Sequence, residues 1–298
     1  MFSVVLILAF ASVFTGILGR TRSILSGRKG PRILQPMHNV ILLFKKGEVI
    51  STDTSWVFKL APSVSLAAVF TAMLMVPFGK LGAIISFNGD FVLFAYLLAL
   101  SRFALILGAL DTASSFEGMG ASRESLYGML IEPAFFVLAG TFALITGYNS
   151  FADIFVSFGV SSMETVIPGL LAAFAFFLML LVETGRLPVD DPRTHLELTM
   201  IHEVMVLDYS GFDLALIHIA TFIKSAIYSI LIALCILPGN MPVTVYMSLF
   251  VIILFVVPVI AGFFESFRAR NRFQRNPSYI LTVTVMAIIA FVTATVLH

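Results

Sequence analysis

The sequence predicts an all-α polytopic membrane protein, with eight transmembrane helices and short amphipathic helices in its loops. Two observations carry that expectation. Of 298 residues, 59% are apolar and only 12% charged, about half the roughly 25% charge of an average soluble chain. The charge-poor stretches also have the length of a membrane-spanning helix, not the alternating segments of about ten residues that build a membrane barrel.

A single membrane domain is expected over 1–298, with spans near 2–19, 60–79, 91–110, 126–148, 165–183, 213–237, 242–264 and 278–297. The first stretch reads as a span, not a cleavable signal peptide, because no cation precedes it while Arg20, Arg22, Arg28, Lys29 and Arg32 follow it. Lys and Arg concentrate after spans one, three, five and seven, ending with Arg268, Arg270, Arg272 and Arg275. Those loops are therefore expected in the cytoplasm and both termini outside, in a cytoplasmic (inner) membrane. One cysteine argues against a disulfide framework or a thiolate metal cluster. A net charge of +1 argues against a nucleic-acid partner, leaving the lipid bilayer as the evident surroundings.

The loops have structure of their own. Met37, Val40, Ile41 and Phe44 repeat at helical spacing after Pro36 and before Lys45, Lys46 and Gly47, which predicts a surface amphipathic helix that could also dock a soluble partner. Between Asp111 and Ser125 a polar loop is expected. In Glu183–Gly211, Pro188 and Pro192 end the fifth span near Glu183. Thr194 and Glu197 have capping-box spacing, predicting a short amphipathic helix running toward Asp208. His195 and His202 stand seven apart, not the four of a metalloprotease helix, so no metal site is expected.

Twelve of the 17 acidic residues lie in or beside the last three cytoplasmic loops, and ionisable groups at membrane depth are functional candidates by default. Glu124, Gly128 and Glu132 fall at i, i+4 and i+8, so two carboxylates share a face across a gap without a side chain. Water could fill that gap, and Pro133 would leave it a free carbonyl. Arg102 and Lys224 lie deep in spans three and six; Asp213 and Tyr228 share the face of Lys224. Arg102 is either a structural partner of a carboxylate or part of a transport path, while a desolvated Lys224 could exchange protons. His218 reads as a packing histidine, with a relay the alternative. Glu117, Glu183, Asp190 and Glu203 complete the acidic set.

The motifs Gly27–Pro36 (GRKGPRILQP), Gly120–Glu124 (GASRE), Glu183–Pro192 (ETGRLPVDDP), Glu197–Leu198 and Asp208–Gly211 (DYSG) together resemble the subunit 1 family of respiratory complex I. That family includes the membrane subunits of group-four nickel-iron hydrogenases. The resemblance implies a non-catalytic membrane subunit that couples a docked redox arm to proton or sodium pumping in antiporter-like neighbours. It implies no cofactor on this chain, with iron–sulfur clusters and nickel–iron on partner subunits like the hydrogenase large and small subunits. By matched motif, Glu183, Arg186, Asp190 and Glu197 resemble the acidic loop facing that arm. Arg28, Gly30 and Pro31 resemble the turn beside the chamber, and Glu117 and Tyr209 join this docking or chamber set. A proton or charge path would run through Glu124, Glu132, Glu183, Asp190, Glu197, Glu203, Arg102 and Lys224. Val189, Asp191, Arg193–His195 and the longer link Thr199–Leu207 depart from the quinone enzymes toward the formate hydrogenlyase type. A quinone-chamber subunit of complex I is the alternative, and a stand-alone secondary transporter or a purely structural anchor are the rivals.

Overall fold

The computed structural model of the chain describes residues 2–160, 163–190, 200–239, 241–269, 271 and 275–297. Among them are eight helices long and apolar enough to cross a membrane: α1 (Phe2–Leu25), α3 (Trp56–Met75), α4 (Asp90–Asp111), α5 (Ser115–Thr146), α7 (Met163–Glu183), α9 (Gly211–Ile236), α10 (Val243–Phe267) and α11 (Asn276–Leu297). Three shorter helices lie between them: α2 (Gln35–Phe44), α6 (Phe151–Ser157) and α8 (His202–Met205). The protein is a multi-pass membrane protein.

α9 is the hub, touching α1, α2, α3, α7 and α10, and 83% of its apolar window is buried, against 28% for α11. A helix that is apolar on every side belongs inside other protein, and α9 is apolar on every side except at Lys224 and its polar neighbours. The chain then closes around it, α3 against α4, α4 against α5, and α11 between α5 and α7.

Several boundaries differ from the sequence expectation, each for a local reason. The second span runs from Trp56 to Met75, not 60–79. Ser55 caps its start by accepting from the Val57 N–H, and Pro77 forces Val76 into extended backbone (φ −89°, ψ 124°). The polar loop expected up to Ser125 is instead the first turns of α5. Thirty-two residues span ~48 Å, well beyond a hydrocarbon layer of about 30 Å, so polarity there marks emergence from the membrane and not the end of the helix. α1 likewise continues six residues past the expected Gly19.

The surface helix expected around Met37–Phe44 is α2, with Pro36 in its first turn and Lys45 as its C-cap. Val40 is buried against the bundle while Ile41, Leu42 and Phe44 are exposed. The helix expected from Thr194 toward Asp208 is not continuous: Met200 and Ile201 are non-helical and α8 covers only four residues. The buried Asp190 carboxylate accepts from the Ile201 and His202 N–H groups at 3.3 and 2.9 Å, which starts a new turn there. The capping pair Thr194–Glu197, together with Asp191 and His195, lies outside the described residues.

Asp111 fastens two helices with one carboxylate. It accepts from Ser55 N–H (2.7 Å), Ser55 Oγ (2.8 Å) and Phe58 N–H (3.2 Å), tying the end of α4 to the start of α3. Asp111→Ala therefore lowers thermal stability in detergent by about 1–2 kcal/mol, whereas Ala at the exposed Asp153 changes it by less than about 0.5 kcal/mol. Equal melting curves for wild type and Asp111→Ala would contradict this role.

Candidate functional site: a buried charge cluster beside a cavity

Four elements bring ionisable side chains to one place near one end of the bundle. Arg102 of α4 reaches across to α5 and α7, with Nε 3.4 Å from Glu124 Oε1, Nη1 3.5 Å from Glu132 Oε1, and Nη2 hydrogen-bonded to Glu183 Oε1. Lys224 of α9 places Nζ 3.8 Å from Glu183 Oε2. On the loop side, His202 Nδ1 lies 3.3 Å from Glu124 Oε2. Glu124, Glu183, Arg102 and Lys224 are all buried, and the low dielectric there makes each pairing electrostatically strong and each loss costly.

The face shared by Glu124 and Glu132 exists as the spacing implies, but its gap is not a water site. A Cβ on Gly128 would collide with the Arg102 Nη1 and Cδ atoms, so Gly128 is the slot through which the guanidinium enters. Glycine is required there by close approach. Pro133 lies inside a continuous α5.

Glu132 differs from its neighbours. Its side chain is 43% exposed and sits in a lateral groove of about 450 Å³ between α4 and α5, walled by Tyr96, Leu100, Phe103 and Met129. The cluster thus touches the loop end through His202 and the bilayer-facing surface through Glu132. Asp213, expected on the Lys224 face, is buried in the first turn of α9, and Tyr228 borders the same hollow as Arg102, Glu132 and Glu183.

A second cavity of about 450 Å³ opens beside the cluster, lined by α1, α2, α9 and the segments flanking α8. Arg186, His202, Glu203 and His218 supply polar groups, while Leu18, Val40, Ile217 and Phe222 supply apolar wall. Glu265 at the end of α10 is clasped by Arg22 (3.1 Å) and Arg186 (3.7 Å). Pro31 lines this cavity, but Arg28 and Gly30 line a separate open hollow on the outer side of the turn.

Outside the spans, His202 is the group whose environment matters most. Burial disfavours its charged form, but the Glu124 carboxylate, helped by Asp190 and opposed by Lys224, outweighs burial and raises its pKa above the ordinary imidazole value. Burial also raises the Glu203 carboxyl above its usual range.

Other expected site residues have different surroundings. Tyr209 is buried and stacked on Phe58 at 4.0 Å, its hydroxyl donating to the Phe58 carbonyl, and burial raises its pKa. Glu117 is buried and accepts from the Asp208 N–H at 3.1 Å, and Asp190 holds the start of α8. Neither lines the cavity. Glu197 lies outside the described residues. Sequence reasoning missed His202 as a cluster member, and Arg22 and Glu265 as a pair. The one signal for Glu265 was a carboxylate at the end of an apolar span, but its partner stands 243 residues away, a separation no local pattern reveals.

Comparison with known proteins agrees with this arrangement. Hydrogenase-4 component C of Escherichia coli (strain K12) is 32% identical over 237 residues, 78% of this chain and 73% of that protein. Formate hydrogenlyase subunit 4 of the same organism is 28% identical over 291 residues, covering 95% and 94%. A membrane subunit of the NADH-quinone oxidoreductase of Rubrobacter xylanophilus is 29% identical, covering 74% and 67%. A chain of the archaeal membrane-bound sulfane sulfur reductase, a respiratory membrane complex, shares the fold with a TM-score of 0.79 over 98% of both chains at 20% identity. The profile of the NADH dehydrogenase family matches residues 1–296, and the chain belongs to that family, which comprises subunit 1 of complex I and its relatives.

Proposed function

We propose that this chain is the membrane-anchoring and ion-coupling subunit of an energy-converting hydrogenase of the formate hydrogenlyase type. In this reading it links chemistry in a docked soluble redox arm to proton or sodium translocation in antiporter-like membrane neighbours. The observation that carries the reading is the continuity of charge from Glu203 and His202 at the loop end, through Glu124, Arg102 and Glu183, to Glu132 in the lateral groove. The higher identity to a hydrogenase-4 component than to the quinone oxidoreductase component supports the branch. The same reading puts the loop end in the cytoplasm with both termini outside, and the iron–sulfur and nickel–iron centres on the arm.

The mechanism is electrostatic. Glu124, Glu132 and Glu183 face Arg102 and Lys224, so the charge on His202 decides whether the cluster balances. A proton gained or lost by His202 or Glu203, in response to chemistry in the arm, changes the hold on Glu124. Arg102 then redistributes among its three carboxylates. Glu183 Oε2 is buried with no hydrogen-bond partner among the described residues and faces Lys224 at a distance too long for a hydrogen bond. That contact has room to tighten or release. Glu132 carries the change to the bundle surface, where a neighbouring membrane subunit meets it.

The cavity favours a second reading, a quinone chamber. Its volume lies within the range of small-molecule sites, and it pairs polar groups at Arg186 and His202 with apolar wall at Leu18 and Phe222. Nickel in the purified assembly, with no labelling of Val40 or Phe222 by a photoreactive quinone, supports the hydrogenase reading. Quinone labelling of those residues in a nickel-free assembly overturns it.

Glu183→Gln or Glu132→Gln leaves the complex assembled but lowers ion pumping in sealed vesicles by at least about fivefold, the lower end of a typical coupling free energy. Normal pumping by either variant removes the role assigned to that residue. A raised folded-state pKa at His202 means that its imidazolium stabilises the fold fully below the ordinary value of about 6.5, a contribution lost as pH rises through the higher folded value. The stability difference between wild type and His202→Gln is therefore largest near about pH 6 and shrinks above the folded pKa. A difference that stays constant with pH contradicts the ion pair.

A further inference from the structure

The turn after α1 builds a basic hollow that neither the charge cluster nor the cavity uses. α1 ends in a Schellman motif: Gly27 (φ +69°) donates its N–H to the Ile24 carbonyl at 3.0 Å, and the Arg28 N–H reaches the Ser23 carbonyl at 2.9 Å. This left-handed turn reverses the chain and lays it back along the helix. Gly30 then packs so closely on α1 that an added Cβ would stand 3.1 Å from the Arg20 Cα and 3.2 Å from the Ser23 Cβ. The consequence is convergence: Arg20, Arg28 and Lys29 surround one open hollow of about 520 Å³, together with Ile24, Gly27 and Gly30.

Two features define what this hollow fits. None of the three cations pairs with an acidic side chain among the described residues, although Arg22, close by on the same helix, is paired with Glu265. The wall beneath the cations is apolar and outward-facing: Ile24 is 61% exposed and lies one helical turn beyond Arg20 on the same stripe, and Leu25 beside it is also exposed. The hollow therefore offers positive charge at the end of a membrane-spanning helix directly above an apolar surface. A soluble acidic protein would match the cations but not the apolar stripe, and free phosphate would leave the stripe uncovered. An anionic phospholipid matches both, phosphate to cations and acyl chain to stripe.

We propose that Arg20, Arg28 and Lys29 form a binding site for the headgroup of an anionic phospholipid, whose acyl chain lies along the Ile24 face of α1. Headgroup binding would hold the turn that continues into Pro31, and with it one wall of the cavity.

Native mass spectrometry of the full chain in mild detergent, titrated with phosphatidylglycerol or phosphatidylcholine of equal chain length, tests this. The wild type is expected to retain phosphatidylglycerol at least about tenfold more than phosphatidylcholine, since each basic side chain at an anionic surface contributes about fivefold. Arg20→Gln/Arg28→Gln/Lys29→Gln loses that preference, while Lys45→Gln/Lys46→Gln, removing a basic pair after α2, keeps it. Equal retention of both lipids by the wild type overturns the site without reliance on any variant, and assigns the cations to solvent or to an acidic soluble partner. Persistence of the preference in the triple variant overturns it too, as does displacement of phosphatidylglycerol by millimolar inorganic phosphate, which would mark a free-phosphate site.

Discussion

A guanidinium in the middle of a membrane-spanning helix is the constraint on which the arrangement of this protein depends. Arg102 on α4 cannot face lipid without a large penalty, and a buried charge is tolerated only when it is paired and hydrogen-bonded. The fold meets that requirement by bringing Glu124 and Glu132 from α5 and Glu183 from the last residue of α7 to one side chain, and by leaving Gly128 bare so that the guanidinium can reach them. Packing of α4 on α5, and the placement of α7, follow from this meeting as much as from apolar contact. Breaking one such pair strands its partners at a cost of about 3–5 kcal/mol, so the cluster holds the bundle together and at the same time responds to any change in its charge.

The cluster and the cavity are neighbours that share a hinge of residues. His202 belongs to both: its ring pairs with Glu124 and also lines the cavity. Arg186 follows shortly after Glu183 and turns the other way, to Glu265. The segment from Glu183 to His202 therefore spans the two compartments, and Asp190 pins its far end to the start of α8. A charge change felt at Glu203 or His202 reaches Glu124 within one contact, which is why the network serves a coupling role more naturally than the isolated carboxylates would.

Much of the fold was legible in composition and charge spacing, because a bilayer leaves few solutions for charge-poor stretches of about 20 residues. All eight spans, α2 and the end of the fifth span at Glu183 follow from that reading. The boundaries that moved were those set by single caps and by emergence from the membrane, Ser55 and Val76 on α3 and Ser115 on α5. The site was legible in part. Periodicity placed Glu124 and Glu132 on one face, and cost at membrane depth singled out Arg102 and Lys224, but neither could show that Arg102 fills the gap at Gly128. Pairings across long separations, Arg102 with Glu183 and Arg22 with Glu265, depend on helix packing that no local pattern encodes. Tyr209 and Glu117 stood out within polar motifs yet fasten loops to helices, since a buried hydroxyl or carboxylate must find a partner whatever else it does.

The most direct test of a responsive charge cluster is infrared difference spectroscopy of the intact assembly, poised with its redox arm reduced and then oxidised. The account predicts a change in carboxyl and carboxylate bands on the redox step that is lost or altered in Glu124→Gln. It also predicts that a companion shift in imidazole bands disappears in His202→Gln. Difference spectra that are the same in wild type and both variants would contradict it, and would leave the buried charges as a purely structural anchor.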